Sequence, residues 1–188
     1  MSISLKKGTR INLSKEAPSL DKMTIGLGWD ANSTDTGGGF DLDASIFLVG
    51  ANGKTLNDSD FVFYNNLKSN DGSVEHTGDN QTGEGGGDDE QVKVILSKVS
   101  ADIQEINFVV TIHDGEGKNF GQVANAFIRI VDDASNKEIL LYELDEDYST
   151  ETAIEFGKLY RKSGSWRFQA VGAGFNAGLQ GFVDKYMG

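Results

Sequence analysis

Apolar residues along this chain fall in short runs at period two, separated by clusters of Gly, Asn, Asp and Ser, which is the pattern of β-strands joined by turns. Ile25, Leu27 and Trp29 share one face of a segment running from Met23 to Trp29. Phe40, Leu42, Ala44, Ile46 and Leu48 repeat the alternation, and Ala51-Asn52-Gly53-Lys54 supplies the turn that ends it. Short strands are expected at 3–5 and 11–13, around the turn Lys7-Gly8-Thr9. Further strands are expected at 61–64, 92–96, 105–112, 123–131, 138–143 and 166–171.

Two late stretches carry a different period. Ala153, Phe156, Leu159 and Tyr160 form a helical stripe after Thr150, a candidate N-cap. Lys158, Arg161 and Lys162 lie toward its end, where positive charge suits the helix dipole. Residues 178–187 predict a short terminal helix. Many strands without βαβ alternation predict a mainly β fold: a β-sandwich of two sheets with one or two short accessory helices near the C-terminus. No linker interrupts the 188 residues, so one domain spanning 1–188 is expected.

Charge narrows the functional classes. The formal net charge is −12, which disfavours nucleic acid, because phosphate binding needs clustered Lys and Arg. It also disfavours an anionic membrane surface unless a divalent cation bridges the two. The absence of cysteine excludes thiol catalysis, disulfides and cysteine metal sites. No run is apolar enough for a signal peptide or a transmembrane segment, so a cytoplasmic protein is expected.

The acidic residues are concentrated. Residues 65–92 are glycine-rich and hold Asp79, Glu84, Asp88, Asp89 and Glu90 with no basic residue among these five. Upstream, Asp41 and Asp43 stand two apart on a predicted strand, so both carboxylates leave one face while Leu42 and its even-numbered companions face the core. Calcium takes six to eight oxygen ligands in flexible geometry. A strand pair of carboxylates covered by the 78–90 loop meets that need, with Asp30 as a contributor and Asn65, Asn66 and Asn80 as neutral oxygens. EF-hand spacing is absent, so such a site is built from distant segments. Five or more carboxylates overprovide for one ion.

Other chemistries fit less well. Only His76 and His113 could serve zinc, and there is no HExxH. Residues 172–177 (GAGFNA) mimic a dinucleotide fingerprint, but they read as a tight turn with close backbone packing, since no second strand and acidic residue follow. Trp29 and Trp166 read as core aromatics, and His113 as a structural histidine.

GLGWD (26–30), FDLDAS (40–45), FVFYNN (61–66), DGSVEHTGDNQTGEGGGDDE (71–90) and the FGQV and AFIRIV segments within 120–131 together resemble the tellurium-resistance TerD family of bacterial stress proteins. STETA, GKLYR and WRFQAVGAGF extend the similarity over nearly the whole chain. The resemblance implies a β-sandwich that binds calcium, expected as two ions, through Asp41, Asp43, Asp79, Asp88 and Glu90, with Asp30, Asn66 and Asp89 as further positions. It implies a non-enzymatic role in tellurite resistance and stress response, with other tellurium-resistance proteins as partners at the cytoplasmic face of the membrane. A metal-dependent hydrolase using the same carboxylates is the competing expectation.

Overall fold

The computed structural model describes residues 2–31, 42–77, 87–112, 117–144, 148 and 150–188. Two six-stranded sheets pack face to face, as the alternating pattern requires. The strands of the first sheet are β1 (Ile3–Leu5), β3 (Lys22–Ala31), β6 (Val74–His76), β7 (Glu90–Ile95), β9 (Val123–Asp132) and β10 (Lys137–Glu143). They lie in the order β1-β10-β9-β3-β7-β6. The second sheet contains β2 (Arg10–Asn12), β4 (Leu42–Val49), β5 (Phe61–Val62), β8 (Glu105–Ile112), β11 (Ala153–Lys162) and β12 (Ser165–Phe175), in the order β2-β12-β11-β8-β4-β5. Only β1 and β10 pair in parallel among these strands.

The inward rows are those the alternation identifies. Ile25, Leu27 and Trp29 of β3 meet Leu42, Ala44, Ile46 and Leu48 of β4 in the main core, together with Phe108, Phe156 and Phe168. Trp166 packs against this core, and the Arg161 guanidinium sits 4.5 Å from its ring centre. Among the described residues, no helix is long and apolar enough to cross a membrane.

The outward face of the second sheet is also apolar in part, because a helix covers it. Phe47, Val49 and Val109 from the sheet bury Phe182 and Tyr186 of α2 (Gly178–Met187), the terminal helix expected from the sequence. Phe47, Phe61 and Phe63 stack in a ladder beside it, with centroids 4.6 and 4.3 Å apart. A second helix, α1 (Leu13–Glu16), lies near the N-terminus and is capped by Asn12, whose side chain accepts from the Lys15 N–H. It takes Leu13 out of the strand expected at 11–13.

Three further expectations need correction. Residues 153–162 form β11, not a helix. The pairing of β11 with both neighbours slips between Glu155 and Gly157, a β-bulge. The extra residue turns Phe156 and Leu159, three apart, to the same core, which imitates one turn of a helical stripe, whereas Ala153 of that stripe packs on the opposite face of the sheet. Residues 172–175 of the GAGFNA run continue β12, and the turn comes only at 176–177. The strand expected at 61–64 pairs over two residues only, since Phe63 and Asn66 close a tight turn through two mutual backbone hydrogen bonds. Phe40, Asp41 and His113 lie outside the described residues.

Candidate metal centre

β4 of one sheet and β7 of the other carry two buried carboxylates, near enough for the charge of Asp43 to act on Glu90. Asp43 pairs in register with Thr111 of β8 and faces away from Leu42 and Ala44, yet is only 8% exposed. Glu90 opens β7 opposite Leu27 and has the parity of Val92 and Val94, so it points into the sandwich. It is 1% exposed. Its Oε2 accepts the Ala44 backbone N–H at 2.7 Å and lies 3.3 Å from Nε2 of His76. Its Oε1 has no hydrogen-bond partner among the described residues. Burial pushes the Glu90 carboxyl up to about 7; the His76 contact opposes this, and the charge of Asp43 adds to it.

A second carboxylate pair lies beside β3. The Asp89 N–H donates to the Leu27 carbonyl, and its Oδ2 accepts the Trp29 N–H, each at 2.8 Å. Burial raises the Asp89 pKa, and the nearby charges of Asp30 and Asp88 raise it further. Asp30 is exposed, and its Oδ2 accepts from Nδ2 of Asn125 at 2.7 Å.

Asp88 is placed differently. Its side chain is 1% exposed and lies on the outer face of the first sheet, held by Arg129 and by Nε2 of Gln91 at 3.0 Å. Gly26 creates its seat, since a Cβ there would collide with the Asp88 carboxylate. The three consecutive acids therefore diverge: Asp88 anchors the backbone, Asp89 ties to β3, and Glu90 enters the sandwich. Nδ2 of Asn66 donates to the Ser59 and Phe61 carbonyls at 3.1 and 2.7 Å, holding the turn after β5. Asp41 and Asp79 lie outside the described residues.

Two roles escaped the sequence reading. His76, weighed there only for zinc, sits opposite Val92, 2% exposed, and the alternation of Val74 and His76 around Glu75 is the trace of its inward position. Arg129 shares β9 with apolar neighbours and gave no signal of a partner forty-one residues upstream.

The donor set suits a hard cation. A buried carboxylate with one unengaged oxygen beside a second buried carboxylate is costly to ionise, and a cation removes that cost. The candidate ligands are oxygens on one strand of each sheet, with neighbouring carboxylates that could extend the sphere, the oxygen donors calcium takes. Among the described residues, no three Asp, Glu or His side chains converge closely enough to hold an ion by themselves.

The sequence and the fold have known counterparts. The TerD domain model matches residues 1–186. A tellurium resistance protein TerD from an Alcaligenes species is 57% identical, over 99% of this chain and 97% of the relative. General stress protein 16U of Bacillus subtilis (strain 168) is 53% identical over the same shares. A crystal structure of a telluride resistance protein homologue from Streptomyces coelicolor A3(2) superposes with a TM-score of 0.71 at 23% identity, covering 87% of this chain and 95% of that one. This chain belongs to the TerD family.

Proposed function

We propose that this chain is a calcium-binding, non-enzymatic module of a bacterial stress response that includes tellurium resistance. The observation that carries the reading is Glu90: buried, with Oε1 unengaged, beside Asp43 and on the bridge between the two sheets. Asp43 and Glu90 would hold one ion, with Asp41 added. Asp89 and Asp30 would serve a second, with Asp79 added. Bound calcium would supply the positive charge that these carboxylates lack.

The protein's own part is to fix the ligands. The Ala44 N–H and His76 orient Glu90, the Trp29 N–H orients Asp89, and Asp88 with Arg129 pins the chain between them. The calcium-bound protein would then present a surface to other tellurium-resistance proteins in the cytoplasm or at the cytoplasmic face of the membrane. The names of the relatives, which are resistance and stress proteins, support this reading over an enzymatic one.

Calorimetric titration of chelator-treated protein with calcium, in competition with magnesium, tests the proposal. Calcium at a hundred times its dissociation constant is expected to stabilise the fold by about 2.7 kcal/mol per site. Glu90→Gln and Asp43→Asn should each weaken binding. An unchanged melting temperature on adding calcium to the chelator-treated protein would contradict the reading.

A further inference from the structure

The outer face of the second sheet is only half covered by α2, and the uncovered half is polar where an aliphatic floor would be cheaper to bury. A groove of about 530 Å³ runs there between α2, the turn at 52–54 and the strands β8, β11 and β12. Its volume lies within the ~300–1,000 Å³ range of small-molecule sites.

One cross-strand row makes its floor. Register pairs Lys158 of β11 with Asn107 of β8 on one side and with Gln169 of β12 on the other. Asn107 is 1% exposed, and its side chain makes a single long bond, Nδ2 to the Phe47 carbonyl at 3.5 Å. The Gln169 amide is half-buried. Val171 and Ala173 are small, which gives the groove its depth.

Charge selects the occupant. Lys54, Lys158 and Lys185 line the groove with Glu105 and Glu155. Both carboxylates are already matched. Glu105 accepts from Lys158 at 3.1 Å, and Glu155 accepts from the Tyr186 hydroxyl at 2.8 Å and from Lys185 at 3.4 Å. The groove thus holds one surplus positive charge, that of Lys54, whose Nζ donates to the Lys185 carbonyl at 2.6 Å, on a protein of net charge −12. Each ammonium has three donors, so Lys158 and Lys185 can each take a further acceptor.

We propose that this groove binds a small anionic metabolite, its carboxylate or phosphate seated between Lys158 and Lys185 and its neutral polar part on the amides of Asn107 and Gln169. The site lies on the outer face of the second sheet, is built from residues other than the carboxylates assigned to calcium, and does not depend on that assignment.

Isotope-labelled full-length protein, titrated with citrate, glucose 6-phosphate and inorganic phosphate and followed by amide NMR, tests this with calcium present and with chelator. Saturable shifts of the Asn107 and Gln169 side-chain amides are expected for citrate or glucose 6-phosphate at or below about 1 mM, under both conditions. Lys158→Met should weaken that response roughly tenfold, and Gln169→Leu should weaken it with the melting temperature unchanged. No saturable shift with either metabolite, or an equal response to inorganic phosphate, would overturn the proposal. So would a response that survives both substitutions.

Discussion

Arg129 holds Asp88 through two parallel hydrogen bonds, Nε to Oδ1 at 2.7 Å and Nη2 to Oδ2 at 2.9 Å, with the carboxylate shut off from solvent. A buried charge matched this way tolerates loss of both partners better than loss of one. Arg129→Met is therefore expected to destabilise the fold by about 3 kcal/mol or more in urea unfolding, and Asp88→Asn by less. The pair Arg129→Met with Asp88→Leu should recover part of the loss. Equal effects of the single and double substitutions would rule out this account.

Glu90 gives the fold a pH dependence. Its folded carboxyl is raised from 4.5 to about 7, chiefly by burial. A raised carboxyl favours the fold fully below the unfolded value, and that contribution is lost as pH rises through the folded one. Chelator-treated protein should therefore lose stability between about pH 5 and pH 7.5, by at most about 3 kcal/mol. Glu90→Gln should flatten the slope in thermal melts. A slope that persists unchanged in that variant would assign it elsewhere.

Gly26 is required by what lies over it. A Cβ at this position meets the Asp88 carboxylate, which is itself held by Arg129 and cannot swing away cheaply. Gly26→Ala is expected to cost about 1–3 kcal/mol, measured by chemical denaturation. A neutral result would mean that the carboxylate has room to shift.

A buried hydrogen bond helps fasten the terminal helix, beside the Thr55 N–H that donates to the Tyr186 carbonyl. The Tyr186 hydroxyl donates to Oε1 of Glu155; its own burial and the Glu155 charge both raise the tyrosine pKa. Tyr186→Phe leaves Glu155 with Lys185 alone, and about 1–3 kcal/mol should be lost. Hydrogen exchange in 178–187 should accelerate more than in β8. Uniform acceleration across both would argue that α2 and the sheet open as one unit.

Much of the scaffold was legible because burial on one face writes itself as period two. The 105–112 strand was read to the residue, and the inward row of β4 was read from Leu42 to Leu48. β11 was not, since a bulge adds one residue and turns alternation into an apparent helical spacing. The acidic segments were visible as composition. Their division of labour was not, because nothing in Asp88-Asp89-Glu90 reveals that Arg129, Trp29 and Ala44 each take one carboxylate. Those partners arrive through sheet register, which single-sequence periodicity does not contain.

β5 pairs with β4 only at Ile46 and Phe47, so among the described residues no strand pairs with the first half of β4 on that side. The Ala44 N–H, which would otherwise be an open rung, is taken by Glu90. The carboxylate proposed for the ion thus also occupies a backbone donor of a strand edge, the kind of group that recruits another chain when it is left open. Damage to this residue should therefore show itself as self-association in a concentrated cell before it shows as unfolding. The solubility of the sheet would then depend on the same residue that is proposed to hold the ion.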